Sequence, residues 1–468
     1  MAFHELGFLF IFFPVAMLLY FLVPKVAKTP VMVALSLVFF AWGSMEFVIL
    51  LILLIVFNFF TGLQLDALKE KEKTRKMVLI SAVAVDVLLL GFFKYRGFLV
   101  ENINALLKTG FTVSNTAMPL GVSFFTFSIL SFLFDVYREK TPAPKNILNF
   151  ALFVSFFPKL VSGPIVSYHD FAAQMEEERK VTLSKVGSAS RLFLIGLAKK
   201  LLIADILGTT FTAVTALPLG EVSTVTAWLG ALCYAMMLYF DFSGYSDMAI
   251  GIAQMCGFTF EKNFDYPYMA VSITDFWRRW HISLGAWFRD YIYFPLGGSR
   301  VDKIKVLRNL LAVWLLTGIW HGASWTFILW GLYHGGVQML EKFVLKKALD
   351  KAPQEAKVVL TFLAVLVGWV FFFAPSLGFA FTWLGRMLGI GAKFVDGAAK
   401  YYLAGCWKIL LIACLGASPL PARLAGRIYR SRSNLPVVLS VIWFGFLLIL
   451  CIAVMTGSTY SSFLYFQF

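Results

Sequence analysis

Between Leu310 and Tyr333 the chain carries no Lys, Arg, Asp or Glu. At about 1.5 Å per residue that run is long enough to cross a hydrocarbon core of roughly 30 Å. Comparable apolar runs recur at 6–23, 31–44, 46–64, 77–93, 118–134, 147–166, 188–207, 222–240, 243–257, 358–375, 402–418 and 436–456. Lipid offers no hydrogen bonds to an exposed backbone, so a chain built from such runs is restricted to bundled helices or a closed barrel. Runs this long and continuous select helices. The sequence therefore predicts an all-α polytopic membrane protein of about 11–12 transmembrane helices, with short re-entrant or interfacial helices between them.

Composition agrees, with 60% apolar and 14% charged residues and a mean hydropathy of +0.79. The net charge of +15 would suggest nucleic acid in a soluble domain. Here it fits cytoplasmic loops and anionic membrane lipids, and no nucleic-acid partner is expected. The N-terminal stretch lacks a basic n-region and a small-residue cleavage site and reads as a retained first helix. The five cysteines lie in or beside apolar segments without metal-type spacing and read as small buried hydrophobes. Basic residues Lys69, Lys71, Lys73, Arg75 and Lys76 put their loop in the cytoplasm and the N-terminus outside. By the same rule the segment Lys303 to Arg308 is cytoplasmic, with His321 one to three turns deeper. One membrane domain over 1–468 is expected, with its core at about 5–375 and looser helices over about 395–468.

Two segments break the apolar pattern. Asn149 to Val166 contains Pro158, Lys159 and Pro164, which predicts a broken element packed against protein rather than lipid. The stretch 268–300 is too charged to span and too aromatic for a plain loop, which predicts short interfacial helices.

The polar residues inside this apolar chain carry its chemistry. His321 sits near the middle of its span, between Trp320 and Gly322, and an ionisable group there requires a reason. Trp320 and Trp325 are read as walls of its binding site. Tyr239, Ser243 and Asp247 recur four apart and share one helix face, with Asp241 and Tyr245 beside them. That face either lines a pathway or glues helices together. In SITDFWRRWHISLGAWFRDYIYFPLGGSR, Arg278, Arg279 and Arg289 surround His281. These guanidinium groups serve either as interfacial anchors or as holders of a donor's phosphates. His334 lies thirteen residues after His321, which on one regular helix turns it about 140° away. His4 is terminal, and His169 lies in a polar loop. No HExxH, GxSxG or P-loop occurs. A histidine base without a protein nucleophile points to direct transfer from an activated donor to a hydroxyl.

The segments DFWRRWHISLGAWFRDYIYFPLGGSR and LTGIWHGASWTFILWGLYHG, with MPLGVSFFTFSILSFLFDVYR, FPKLVSGPIV and YFDFSGYSDMAIGIAQMCGFTFEKNFDYPY, resemble the membrane-bound O-acyltransferase family. The likeness is strongest to its bacterial alginate O-acetyltransferase-like branch and runs from about residue 5 to 375. It implies helices ringed around a central tunnel, with His321 catalytic by its WHG context and His281 second by its WRRWH context. It also implies an acyl-CoA or acyl-carrier thioester donor, no permanently bound cofactor and a polysaccharide acceptor outside a bacterial cytoplasmic membrane. A separate SGNH-type partner would complete transfer to the polymer. D-alanyl transfer to teichoic acid, and a transporter without catalysis, are the alternatives.

Overall fold

The computed structural model describes residues 2–113, 117–177, 181–429 and 435–457. Among them every extended regular element is helical, and the only strand-like pairing is an isolated bridge between Phe264 and Trp280. The expected all-α membrane fold is the observed one. Among the described residues six helical segments are long and apolar enough to cross a bilayer: Lys25–Ala67, Glu72–Leu107, Thr224–Met255, Gln354–Phe373, Gly397–Gly416 and Val437–Gly457. Phe8–Leu22 and Val122–Tyr137 are apolar but shorter. Ile11, Leu53, Leu88 and Ile449 face outward, as lipid-contacting residues do in a fold whose solvent is hydrocarbon.

The pillar of the bundle is Thr224–Met255, a single helix started by the Ser223 hydroxyl, which accepts from the Thr226 N–H. The sequence divides this stretch into two spans, 222–240 and 243–257, at its polar run. The structure has no break there, because the polar groups are answered by a neighbouring helix instead of by an end. Lys200 Nζ lies 2.8 Å from Asp241 Oδ1 and 2.7 Å from Asp205 Oδ1, and Lys199 lies 2.6 Å from Asp247 Oδ2. Glycines let the helices come that close. A Cβ on Gly196 would stand 2.4 Å from the Gly244 carbonyl oxygen, and one on Gly244 would stand 2.6 Å from that of Gly196. Small residues at such a crossing replace the hydrophobic drive that is absent in lipid.

The expected broken element is present. Ile147–Ser155 ends at Phe156, and Phe157–Leu160 restarts with Pro158 in its first turn. The first piece is buried from Phe150 onward and the second throughout. The Phe157 N–H freed by the break donates to Ser36 Oγ at 3.1 Å, and Lys159 Nζ donates to Ser128 Oγ at 2.9 Å. The stretch 268–300 is likewise a chain of short elements, including Ile273–Arg279 and Ile282–Phe288.

The apolar run 308–334 needs correction. It is two helices, Lys303–His321 and Trp325–Leu340, separated at Gly322 to Ser324. The first is capped by Asp302, whose carboxyl accepts from the Lys305 N–H and is held below its usual range by that bond. The second starts at Ser324, whose hydroxyl accepts from the Thr326 N–H. A serine cap outweighs the apolarity of its surroundings because it satisfies a helix-end donor that lipid cannot. The two helices fold back with almost no space between them. A Cβ on Gly331 would lie 2.4 Å from the Trp314 carbonyl oxygen, and one on Gly318 would lie 2.5 Å from that of Phe327.

Gly331→Ala is therefore expected to lower the melting temperature of the detergent-purified protein, through a packing cost of about 1–3 kcal/mol. Gly336→Ala, five residues on with nothing within 4 Å of its Cβ position, is expected to melt as the native chain does. Equal melting of the two variants would contradict this close crossing.

Candidate active site

His321 is the last residue of its helix, and its position follows from how that end is finished. The final carbonyls of a helix have no intrahelical donor. Two of them are taken by the long helix Glu72–Leu107: Tyr95 Oη donates to the Ile319 carbonyl at 2.6 Å, and Lys94 Nζ donates to that of Trp320. Lys94 also donates to Ser123 Oγ at 3.3 Å and lies over the Trp320 ring. A cation is well placed there by the helix dipole. The sequence ended this span at residue 93 and gave Lys94 and Tyr95 no role. The signal was present in a lysine that directly follows an apolar run.

His321 is buried among rings, with Trp330 at 4.6 Å, Trp320 at 4.9 Å and Phe372 at 5.5 Å between centroids. Its Nδ1 is 2.7 Å from the Thr317 carbonyl oxygen. A carbonyl can only accept, so Nδ1 carries the proton and Nε2 keeps a lone pair.

His281 is held by different means. It has positive φ (48°) at the corner between the two short helices, a conformation uncommon outside glycine that the surrounding pairing imposes. The Asp265 N–H donates to the Arg279 carbonyl at 2.9 Å, and the Ile282 N–H donates to that of Asn263 at 3.0 Å. Asn263 is the hub. Its Oδ1 accepts from the Ser283 N–H at 3.1 Å and the Ser283 hydroxyl at 3.0 Å, and it lies 3.3 Å from His281 Nδ1. A backbone N–H can only donate, so this atom is the amide oxygen and His281 Nδ1 also bears its proton. The sequence offered no signal for Asn263, whose role exists only through the pairing of 263–265 with 279–282.

The two histidines meet through one indole. Trp320 lies 6.4 Å from the His281 ring and 4.9 Å from that of His321. Behind it Phe127 stacks on both Trp320 (5.2 Å) and Trp287 (3.9 Å), and Trp287 Nε1 donates to the Phe127 carbonyl at 3.1 Å. A cavity of about 900 Å³ opens beside them, with His281, Thr317, Trp277 and Trp314 in its wall. His321 is not in that wall; it meets it through Thr317, whose carbonyl holds its Nδ1. Arg308 and His321 lie thirteen residues apart on the one helix Lys303–His321, about three and a half turns. The cavity wall also carries Arg278, Arg289, Lys342, Lys346 and Lys357 against Glu341 and Asp350, a basic lining whose lysines the sequence did not single out.

The remaining candidates divide. Arg279 does not line the cavity; it pairs with Asp275 at 3.0 Å. Arg289 reaches the cavity although it also meets Asp290 at 2.9 Å. Tyr239 packs on Tyr268 and Trp280, Ser243 is buried, and Asp247 is paired with Lys199. None of these three is in the wall of this cavity. Trp325 is 54% exposed and donates to Asn102 Oδ1 at 3.0 Å, because the break after His321 turns it away from the histidine. His334, set aside on the assumption of one continuous helix, is returned by the same break to the aromatic cluster, 5.2 Å from Trp330. His4 is buried rather than free at the terminus. Among the described residues no group of three or more His, Cys, Asp or Glu comes together as a metal site would require.

The profile of the membrane-bound O-acyltransferase family matches residues 36–384. Among similar proteins, a probable alginate O-acetylase of Azotobacter vinelandii is 42% identical over 84% of this chain and 79% of its own. The peptidoglycan O-acetyltransferase of Helicobacter pylori is 38% identical over 82% of this chain and 79% of its own. The teichoic acid D-alanyltransferase of Bacillus subtilis is 32% identical over 48% of this chain and 60% of its own.

Removing one hydrogen bond to the end of the His321 helix is expected to cost about 0.5–1.5 kcal/mol. Tyr95→Phe should therefore lower the thermal midpoint in detergent, whereas Tyr401→Phe, at an exposed ring, should not. An unshifted midpoint for Tyr95→Phe would remove Tyr95 from the support of this site.

Proposed function

This chain belongs to the membrane-bound O-acyltransferase family, and from that premise we propose that it passes an acetyl group from a cytoplasmic thioester to a hydroxyl destined for an extracytoplasmic polysaccharide. The observation that supports the reading is the pair of buried histidines on either side of the Trp320 indole, each with its Nδ1 proton directed at an acceptor, of which His281 is in the wall of a basic-lined cavity and His321 is bonded to Thr317 of that wall.

In this reading the donor is acetyl-CoA or an acetylated carrier protein, whose phosphates meet Arg278 and Arg289. The lysines opposite, Lys342, Lys346 and Lys357, add to the same field. A thioester is already activated, so the site has to hold its carbonyl near the acceptor oxygen and take the hydroxyl proton as the bond forms. His321 Nε2 accepts that proton, a new C–O bond forms and the C–S bond breaks. The thiolate leaves and is protonated from the imidazolium. His281, on the cavity wall, orients the donor carbonyl or the acceptor. The acceptor reaches His321 from the opposite face, so one base serves both compartments. The bacterial cytoplasmic membrane is the location this topology requires. The chain acts as one membrane domain, with its core at about 5–375; residues 458–468 of the C-terminal portion lie outside the described residues. An SGNH-type extracytoplasmic protein is the partner that completes transfer to the polymer.

His321→Ala, purified and reconstituted, is expected to lose acyl transfer by about 10²- to 10⁴-fold, the usual worth of a general base, with its helical circular dichroism unchanged. Transfer near the native rate by a folded variant would end the assignment of His321. Separately, Arg278→Gln and Arg289→Gln should raise the donor KM several-fold with little change in kcat. Arg279→Gln, already engaged with Asp275, should reduce yield or melting temperature instead. Unchanged donor KM in both folded cavity variants would leave the arginines as membrane anchors.

A further inference from the structure

Two indoles, Trp277 and Trp314, stand in the cavity wall with His281 and Thr317, their rings 4.9 Å apart at 68°. Neither ring is loosely placed. Trp277 Nε1 lies 3.4 Å from His334 Nδ1. An indole N–H only donates, so His334 Nδ1 is an acceptor and its proton sits on Nε2. His334 is thus in the opposite tautomer to His321 and faces the wall as a support. Its ring stacks on Trp314 (5.6 Å, 24°) and stands edge-on to Trp277 (5.1 Å, 88°).

Trp314 Nε1 donates to Gln338 Oε1 at 2.7 Å, and Gln338 Nε2 donates to Thr274 Oγ1 at 3.1 Å. His334 and Gln338 are one turn apart on the same helix and so form a single strut that braces both rings, with Gln338 itself in the cavity wall. The strut has no room to give. A Cβ on Gly335 would come within 3.0 Å of the Trp314 side chain, and one on Gly368 within 2.5 Å of His334 Nε2. Trp330 closes the remaining side, 5.6 Å from Trp277.

We propose that Trp277 and Trp314, held by His334 and Gln338, set the upper limit on acyl chain length. The proposal rests on the reading of this cavity as the thioester site. A thioester carbonyl placed beside His281 and Thr317, the residue whose backbone carbonyl holds His321, directs its acyl substituent at the two indoles of the same wall. An acetyl methyl ends before them, and each further methylene runs into a ring that cannot turn aside. Trp277 and Trp314 are the specificity-determining residues, and His334 and Gln338 are positioning residues. A rigid wall excludes longer chains more strongly than a yielding apolar pocket, whose discrimination is about 10- to 200-fold per methylene.

The test uses the full-length protein in proteoliposomes with acceptor-bearing membrane extract, and acetyl-, propionyl- and butyryl-CoA as donors. The readout is the ratio of kcat/KM for butyryl to that for acetyl transfer. Trp314→Ala and Trp277→Ala are expected to raise the ratio by about tenfold or more over the native chain, the low end of that range. Gln338→Leu, which leaves the Trp314 N–H without its acceptor, should raise it by a smaller factor, and Gln338→Glu, which restores an acceptor, should return it to the native value. Should the alanine variants fail to fold, Trp314→Phe and Trp277→Phe carry the same test with propionyl-CoA. A ratio within twofold of native in every folded tryptophan variant overturns the limit while leaving acyl transfer intact. Native protein that transfers butyryl as readily as acetyl also overturns it. Absence of any transfer from these thioesters by the native chain overturns the functional reading together with the limit.

Discussion

The capping of one helix end holds this site in place. Lys303–His321 stops inside the protein, and its last carbonyls would be orphaned in a medium that offers no donors. Lys94 and Tyr95 supply those donors from another helix. Because the helix can end there, the chain can turn at Gly322 and start again at Ser324. That turn gives His321 its place at a corner, points Trp325 outward and brings His334 back to the aromatic cluster. A continuous helix would give none of these.

The corner is kept compact by the absence of side chains. Gly318 and Gly331 bring the two helices to backbone contact, and Gly335 leaves space that Trp314 fills. Around this pair the tryptophans do more than occupy volume. Three of them tie layers together through the N–H: Trp287 to the Phe127 carbonyl, Trp314 to Gln338 and Trp277 to His334. The Val122–Tyr137 helix, nearly all of it buried, joins the WRRWH segment to the WHG segment through Phe127. The two histidines are therefore placed by separate supports, Asn263 for His281 and Thr317 with Lys94 and Tyr95 for the end bearing His321. The indole of Trp320 sets the distance between them.

Charge within the bundle is organised in two ways. Away from the cavity, Lys199 and Lys200 are matched to Asp247, Asp241 and Asp205, so two aspartates of the central helix hold its neighbour. At the cavity the cations exceed the acids, and Arg278, Arg289, Lys342 and Lys346 are exposed on short helical elements. The first arrangement resembles polar glue in a membrane bundle, and the second resembles a mouth that concentrates an anionic ligand.

Periodicity and apolar length were enough to fix the class of fold, the broken element at Pro158 and the short helices of 268–300, because each follows from local chemistry that lipid enforces residue by residue. The same reasoning drew attention to His321, to His281 and to the arginines beside it, since an ionisable group in an apolar run is conspicuous. It misplaced what depends on partners distant in the chain. The central helix is unbroken because Lys199 and Lys200 meet its aspartates, and the helix of His321 is broken because Lys94 and Tyr95 finish it. Asn263 becomes a hub only when 263–265 lies against 279–282, and Arg279 is separated from Arg278 by where Asp275 sits. A sequence records which groups must be satisfied in the membrane; which residue satisfies each one is decided only when the helices pack, because a hydrogen bond between residues more than two hundred positions apart leaves no periodic trace in the chain.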